Sequence, residues 1–447
     1  MFTTKYAKRV YSSLADRNPM EEEFLQAAME VLTSIEPVVE ADATLEQHAI
    51  LERITEPDRL IQFRVTWADD TGAIQVNRAY RVEFNNAIGP YKGGLRFHST
   101  VNASILKFLG FEQTFKNALT SLWMGGGKGG ADFDPHGKSD AEVMRFCQSF
   151  MSELYRYIGP DSDVPAGDLG VGGREIGYMF GQYKRLTKQF NGALTGKNPN
   201  FGGSLVRTEA TGYGLCYYVA EVLRVLRDDS LEGKTVAVSG SGNVAIFATE
   251  KAQELGAKVV TSSDSGGCVY DPDGIDLDAV RQIKLGHRGR IAEYVDTHPK
   301  AKFLAGQKAW SVPCDIALPC ATQNELDADD AKQLIDGGVQ VVAEGANMPT
   351  TPEAIAAFQA AHVVYAPGKA SNAGGVAVSG LEMSQDALHL QWTFEEVDAR
   401  LQAIMKNIVS QSLDAAHQYD LGDDLMAGAN IAGFQRVASA MIAQGIV

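Results

Sequence analysis

The chain has 447 residues, 45% hydrophobic and 21% charged, and its 56 acidic and 40 basic side chains give a formal charge of −16. That mixture is ordinary for a globular protein and excludes long disorder, while one domain per roughly 150 residues predicts about three domains. No run approaches the ~20 apolar residues of a membrane-spanning helix, and the acidic balance argues against nucleic acid as a partner, since its binding rests on basic surface.

In chain order, helix-like segments extend to about residue 55. Basic residues and paired serines near the start hint at a targeting segment, but Asp16 and Glu21, Glu22 and Glu23 break that pattern, so a cytoplasmic protein without a leader is expected. Two alternating runs, 60–67 and 74–85, flank Asp69-Asp70-Thr71-Gly72, which predicts a β-hairpin. Helical patterns follow at about 102–122 and 139–158. From Lys234 on, strand-like runs at 235–239, 258–262, 314–318, 339–343 and 362–365 alternate with helices, which predicts a parallel, doubly wound sheet. A long helical stretch covers 394–419. The change of character near Gly202 and Gly203 places a boundary there. Two domains are therefore expected: 1–202, rejoined by a returning segment of about 425–447, and 203–424.

The 45 glycines cluster at 89–94, 125–130, 167–173, 202–214, 240–242 and 374–380, as if several loops met at one site. Gly240, Gly242 and Ala245 form Gly-x-Gly-x-x-Ala between a strand-like run and a helix, and a second strand ends at Asp264. That context predicts a dinucleotide site: a tight turn, close backbone approach to a pyrophosphate, and a helix N-terminus facing it. Lys128 stands inside Gly125–Gly130, which lacks the spacing of a phosphate-binding P-loop. It is either a solvated loop lysine or one presented into a tight cleft. Lys92 adjoins Gly93 and Gly94, and Gln113 and Lys116 share a helix face at i, i+3. Three such lysines within 37 residues of an acidic chain point to an anion site. Asp168, between glycines on an apolar loop, is a functional carboxylate or a capping residue. The small polar run 370–380 follows the last strand, where a parallel sheet binds its ligand. The five cysteines (Cys147, Cys216, Cys268, Cys314 and Cys320) match no zinc or redox spacing and are expected as buried free thiols. The histidines show no ligand spacing, and no metal is expected.

The stretches 89–98, 110–120, 125–135, 165–177, 204–214, 239–245, 317–325, 343–349 and 368–385 together resemble the hexameric glutamate dehydrogenases, especially the NADP-linked bacterial type, along the whole chain. The resemblance implies an α/β fold of two domains with the active-site cleft between them. One is an N-terminal substrate-binding and oligomerisation domain, the other a Rossmann-like dinucleotide-binding domain. It implies reversible oxidative deamination of L-glutamate to 2-oxoglutarate and ammonium, running toward ammonia assimilation, in a cytoplasmic homohexamer. By the same resemblance Lys128 and Asp168 are catalytic. Lys92 and Ser379 hold the side-chain carboxylate, Lys116, Gln113 and the backbone at Gly167 hold the α-carboxylate, and Asn372 lies by the amine. Thr211 and Asn243 match residues near the nicotinamide. Arg207, Gly240, Gly242, Val244, Ser263, Asp264, Lys284, Arg290 and Asn347 complete the cofactor set.

Elementary chemistry agrees with these roles. A dicarboxylate needs two separate cations, and burial beside other ammonium groups should lower Lys128 from ~10.4 toward 7–8. Asp264 by itself suggests a ribose hydroxyl and NAD(H). Ser262, Ser263, Lys284, Arg288 or Arg290 can offset its charge, and the resemblance favours NADP(H). Leucine-, valine- and phenylalanine-type enzymes would lack the distal cation and hydroxyl that Lys92 and Ser379 supply. An inactive nucleotide sensor would not need Lys128 and Asp168, and a 2-hydroxy-acid dehydrogenase would want a histidine in such a setting.

Overall fold

The computed structural model describes residues 2–446 and divides them into two units. The first takes the chain up to Arg207, then Val376–Val397, then everything from Asn430; the second takes Thr208–Gly375 and Asp398–Ala429.

The first unit is built on a five-stranded sheet of order β1-β2-β4-β3-β5. Its strands are β1 (Arg59–Ala68), β2 (Ile74–Asn85), β3 (Tyr91–Phe97), β4 (Gly126–Ala131) and β5 (Asp163–Gly167). β1 and β2 form the expected antiparallel hairpin, paired from Arg59 with Glu83 to Ala68 with Ile74. Asp69 closes its turn by accepting the N–H groups of Thr71 (2.9 Å) and Ala73 (3.0 Å). β2 and β4 are antiparallel, whereas β3 runs parallel to both β4 and β5.

β4 is Gly-Gly-Lys-Gly-Gly-Ala, and every residue of it is buried. A glycine run reads as a loop because glycine has no side chain to pack on a pleated sheet. Here the missing side chains are the point. A Cβ on Gly126 would stand 1.9 Å from Thr114 Oγ1, so the helix Ala103–Leu119 can lie directly on the strand. That helix starts where Asn102 Oδ1 accepts Ile105 N–H (3.0 Å), and it buries Leu106, Phe108, Phe111 and Phe115. A reciprocal Ser139–Glu142 capping box starts the helix Asp140–Leu154. Its Phe146 and Phe150 join Trp67, Phe97 and Phe133 in an aromatic core, with Phe133 and Phe146 stacked 3.8 Å apart.

The second unit carries a parallel sheet of order β13-β12-β11-β6-β7. Its members are β6 (Thr235–Val238), β7 (Lys258–Val259), β11 (Ile316–Leu318), β12 (Val341–Ala343) and β13 (Val364–Ala366). An antiparallel sheet of order β10-β9-β8 joins β8 (Thr261–Asp264), β9 (Gly267–Tyr270) and β10 (Lys302–Ala305). The run read as one strand over 258–262 is thus divided between two sheets. Thr261 Oγ1 accepts the N–H of Val238 (2.8 Å), which ties the start of β8 to the end of β6 by a side chain instead of a ladder bond. Ala237, Ala317 and Val342 of the sheet pack with Trp310 and Phe358 in the core.

The division of the chain differs from the expectation in three places. The first change of unit falls after Arg207, the final return begins at Asn430, and Val376–Val397 also belongs to the first unit. The last of these begins inside the continuous helix Gly374–Leu388. All five cysteines are buried free thiols. Among the described residues no helix is long and apolar enough to cross a membrane.

Candidate active site

In the first unit the glycine-framed lysines stand on sheet and helix. Lys128 projects from β4, and its Nζ lies 3.0 Å from Asp168 Oδ2, just past the end of β5. Arg96 of β3 donates to the same oxygen from Nε (2.9 Å). Burial lowers Lys128; Asp168 raises it in part, and Arg96 adds a further lowering. Burial would raise Asp168, but Lys128 and Arg96 outweigh it and hold the carboxyl well below the usual range. The neighbouring cation that most disfavours charge on Lys128 is therefore Arg96, a guanidinium, rather than the ammonium groups expected from sequence.

Lys116 is half-buried on the last turn of the helix Ala103–Leu119. Burial first, and Lys128 second, lower it to about 8. Gln113, three residues earlier, donates to Asn117 Oδ1 (2.6 Å), and Asn117 in turn donates to Lys92 O (3.1 Å). Lys92 of β3 is completely buried. Its Nζ donates to Val164 O (3.0 Å) and Thr195 Oγ1 (2.7 Å). Burial pushes this ammonium well down, and Glu382 is the main group opposing that. Gly167, the last residue of β5, precedes Asp168. Beneath these side chains, fully buried Arg81 holds the sheet together. Its Nε donates to Asp163 Oδ2 (2.7 Å) and its Nη1 to Gly93 O (3.0 Å), linking β2, β3 and β5.

Ser379 is buried on the helix Gly374–Leu388 and accepts a hydrogen bond from Arg207 Nε (3.1 Å). Arg207, expected among the cofactor residues, is the last residue of the first unit before the chain passes into the second. Sequence reasoning missed Arg96, Arg81, Asp163 and Thr195. Arg96 had a signal, since it closes the Lys92-Gly93-Gly94-Leu95-Arg96 run. Thr195 had none.

The second unit gathers the dinucleotide motif. Gly240 follows β6 with φ +84°, a left-handed turn that glycine adopts without strain. Its N–H donates to Ser263 Oγ (2.7 Å). The helix Asn243–Glu254 has Gly242 as its N-cap and no side-chain cap, so its first-turn amides remain available to an anion. A dinucleotide pyrophosphate fits that donor set. Asn243 Nδ2 donates to Thr208 O (2.7 Å), and Val244 packs where a Cβ on Gly345 would meet it at 3.2 Å. Thr211 lies in the first turn of the helix Ala210–Arg227. Asn372 Nδ2 reaches Ala346 O (3.1 Å) and Asn347 Oδ1 (3.3 Å), while its own buried Oδ1 has no partner among the described residues.

Asp264 ends β8 and is surrounded by donors. It accepts Gly266 N–H (2.8 Å) and Ile291 N–H (3.0 Å), and faces Lys284 Nζ at 3.3 Å and Arg290 Nε at 3.7 Å. Arg290 Nη2 also donates to Ser265 Oγ (3.0 Å). Burial would raise this carboxyl, and the two N–H groups with Lys284 lower it overall. Among the described residues no cluster of three or more His, Cys, Asp or Glu side chains could hold a metal ion.

A dinucleotide turn on a parallel sheet, with a paired lysine and aspartate on a separate mixed sheet, defines a nicotinamide-dependent oxidoreductase. Two family models match: Glu/Leu/Phe/Val dehydrogenase, dimerisation domain, over residues 57–185, and Glutamate/Leucine/Phenylalanine/Valine dehydrogenase over residues 202–445. The chain belongs to the Glu/Leu/Phe/Val dehydrogenase family. It is 57% identical to the NADP-specific glutamate dehydrogenase of Escherichia coli, over 96% of each chain. It is also 57% identical to the NAD-specific glutamate dehydrogenase of Bacteroides fragilis, over 98% of this chain and 99% of that one. The crystal structure of Plasmodium falciparum glutamate dehydrogenase superposes with a TM-score of 0.97 at 53% identity, covering 99% of this chain and 95% of that one.

Proposed function

We propose that this chain interconverts L-glutamate with 2-oxoglutarate and ammonium, using NADP(H), with Lys128 and Asp168 as the catalytic pair. The observation that carries the reading is the Lys128–Asp168–Arg96 cluster, with half-buried Lys116 beside it and buried Lys92 on the adjacent strand. An amino dicarboxylic acid needs two carboxylate sites and a group able to move a proton to and from the α-amino nitrogen, while the α-hydrogen leaves as hydride. Lys116, Gln113 and the backbone at Gly167 suit the α-carboxylate; Lys92, Ser379 and Thr195 suit the distal one. Asn372, with an unpaired acceptor oxygen, suits an amine or amide donor.

Lys128 donates to the keto oxygen when protonated and activates water toward the iminium carbon when neutral. Burial lowers the lysine, which makes its neutral form easier to reach than in water. Asp168 is a weak base while two cations hold it. Loss of the Lys128 proton removes one of them and raises its affinity for protons, so the two groups titrate as a pair. The nicotinamide, when bound, supplies or accepts the hydride. Gly240, Gly242 and Val244 would hold the cofactor's pyrophosphate, with Thr211 and Asn243 toward the nicotinamide and Asn347 completing the cofactor set.

Both NAD-specific and NADP-specific relatives stand at 57% identity, so similarity alone does not choose the cofactor. The surroundings of Asp264 favour NADP(H). Two N–H groups and Lys284 already donate to it and Arg290 Nε lies 3.7 Å away, so a ribose hydroxyl would compete with these donors. Lys284 and Arg290, together with Ser263 and Ser265, offer donors to a 2′-phosphate. By family resemblance we further propose a homohexamer working in the cytoplasm.

The test is ammonium-dependent oxidation of NADPH with 2-oxoglutarate, in the unaltered protein and in Lys128→Ala. The first should turn over, with a larger kcat/KM for NADPH than for NADH. The variant should bind NADPH but lose roughly 10²–10⁴-fold in kcat, the range of general acid–base catalysis. No ammonium dependence would overturn the activity, a preference for NADH would overturn the cofactor, and near-normal turnover in the variant would overturn the role of Lys128.

A further inference from the structure

Lys197 is fully buried and belongs to none of the groups above. Its Nζ pairs with Glu382 Oε1 (2.9 Å) and Asp386 Oδ2 (2.8 Å) and donates to Leu194 O (2.5 Å). An ammonium has three donors, and all three are spent here, so Lys197 has none left for a substrate. Glu382 is likewise fully buried and also accepts the N–H groups of Gly196 (2.9 Å) and Lys197 (3.3 Å). A buried ion cluster is weak evidence for stability, because desolvation offsets its attraction, but it does fix geometry.

What it fixes are two segments. Glu382 and Asp386 lie four residues apart on the helix Gly374–Leu388, and Ser379 lies one turn before Glu382 on the same side. Lys197 lies two residues after Thr195, whose Oγ1 accepts the Lys92 hydrogen bond and whose N–H donates to Pro165 O (3.0 Å). The cluster therefore clamps the 194–197 segment, with Thr195, to the helix that carries Ser379. One cation and two carboxylates leave a formal excess of one negative charge. Of these groups Glu382 opposes the lowering that burial imposes on Lys92 and Arg207.

We propose that the Lys197–Glu382–Asp386 cluster is a positioning device for selecting the substrate's distal carboxylate, acting through Thr195, Ser379 and Lys92 and never touching the substrate. The inference rests on the proposed glutamate activity and on Lys92 as the distal cation. It assigns Lys197, Glu382 and Asp386 a part in specificity, not in chemistry.

The test compares kcat/KM for L-glutamate with that for L-norvaline, which replaces the distal carboxylate by a methyl group. Glu382→Gln keeps the shape and removes the charge. It should lower the glutamate-to-norvaline ratio at least about tenfold, mainly through the KM for glutamate, with norvaline kcat/KM within about twofold of normal. Asp386→Asn, which keeps an oxygen for Lys197, should shift the ratio the same way by about threefold. It decides the matter alone if Glu382→Gln does not fold. A ratio within twofold of normal in a folded Glu382→Gln, an unshifted ratio in Asp386→Asn, or equal losses on both substrates, would overturn the proposal. Unaltered protein that uses norvaline as well as glutamate would instead overturn the substrate reading, whatever the variants do.

Discussion

Lys116 ties the chemistry of the site to pH. Burial together with Lys128 lowers it to about 8. Only the charged form attracts a carboxylate, so affinity should be full below that value and fall as pH rises through it. Glutarate, a dicarboxylate with no amine or keto group to titrate, removes the ligand's own ionisation from the measurement, and the Lys116 variant separates this lysine from Lys92 and Lys128. Its competitive inhibition constant should rise about tenfold per pH unit above about 8, as expected for loss of one proton. Lys116→Arg, which stays protonated, should flatten that limb. A constant that stays level up to pH ~9.5 in the unaltered protein would contradict the assignment. At this scale the sequence is informative where a lysine or aspartate is framed by glycine, as for Lys92, Lys128 and Asp168. Lys116 could be picked out only from its helix-face spacing with Gln113. It is silent on Thr195, a threonine in an unremarkable stretch that meets Lys92 only through the fold.

Among elements, β1 and β2 are legible because alternation and an Asp-Asp-Thr-Gly turn both point to a hairpin. β4 is not, because its glycines serve the helix above it instead of advertising a strand. Gly126→Ala should therefore be costly. Its Cβ would fall 1.9 Å from Thr114 Oγ1 and 2.7 Å from Thr114 Cα, and the helix backbone cannot move aside as a side chain tip can. Overpacking of this kind costs about 3 kcal/mol, and it should also displace Lys128 two residues on. Gly173→Ala is the control, since nothing lies within 4 Å of its added Cβ. Urea unfolding should show a lowered midpoint for the first and little change for the second. Equal midpoints would mean that β4 has room the structure does not show. The split of 258–264 between two sheets was likewise hidden. A short strand-like run, Lys258-Val259-Val260-Thr261-Ser262, does not reveal that Thr261 bonds β6 through its side chain.

Across the whole molecule, each unit is assembled from separate stretches of chain, and this is where sequence patterns say least. Nothing in periodicity marks a change of unit inside an unbroken helix, yet one falls after Gly375 within Gly374–Leu388. The last return, from Asn430, is held by specific bonds in the first unit. Arg436 donates to the carbonyls of Ala118 (2.5 Å), Ser121 (3.0 Å) and Leu122 (2.9 Å), which end the helix Ala103–Leu119 and begin the loop toward β4. A single guanidinium thus satisfies three carbonyls at a helix C-terminus, where orphan acceptors need partners. Asn430 Nδ2 adds a bond to Ser34 Oγ (3.0 Å) near the other end of the chain. Arg436→Ala removes three charge-assisted bonds at once and should lower stability by about 2–3 kcal/mol, less whatever water restores. Because the same carbonyls lead into β4, the loss should reach Lys128. Glutamate kcat/KM should fall by more than NADPH affinity, if the cofactor is held by the second unit as proposed. Parallel losses in both, or unchanged thermal unfolding, would show that the returning segment does not brace β4.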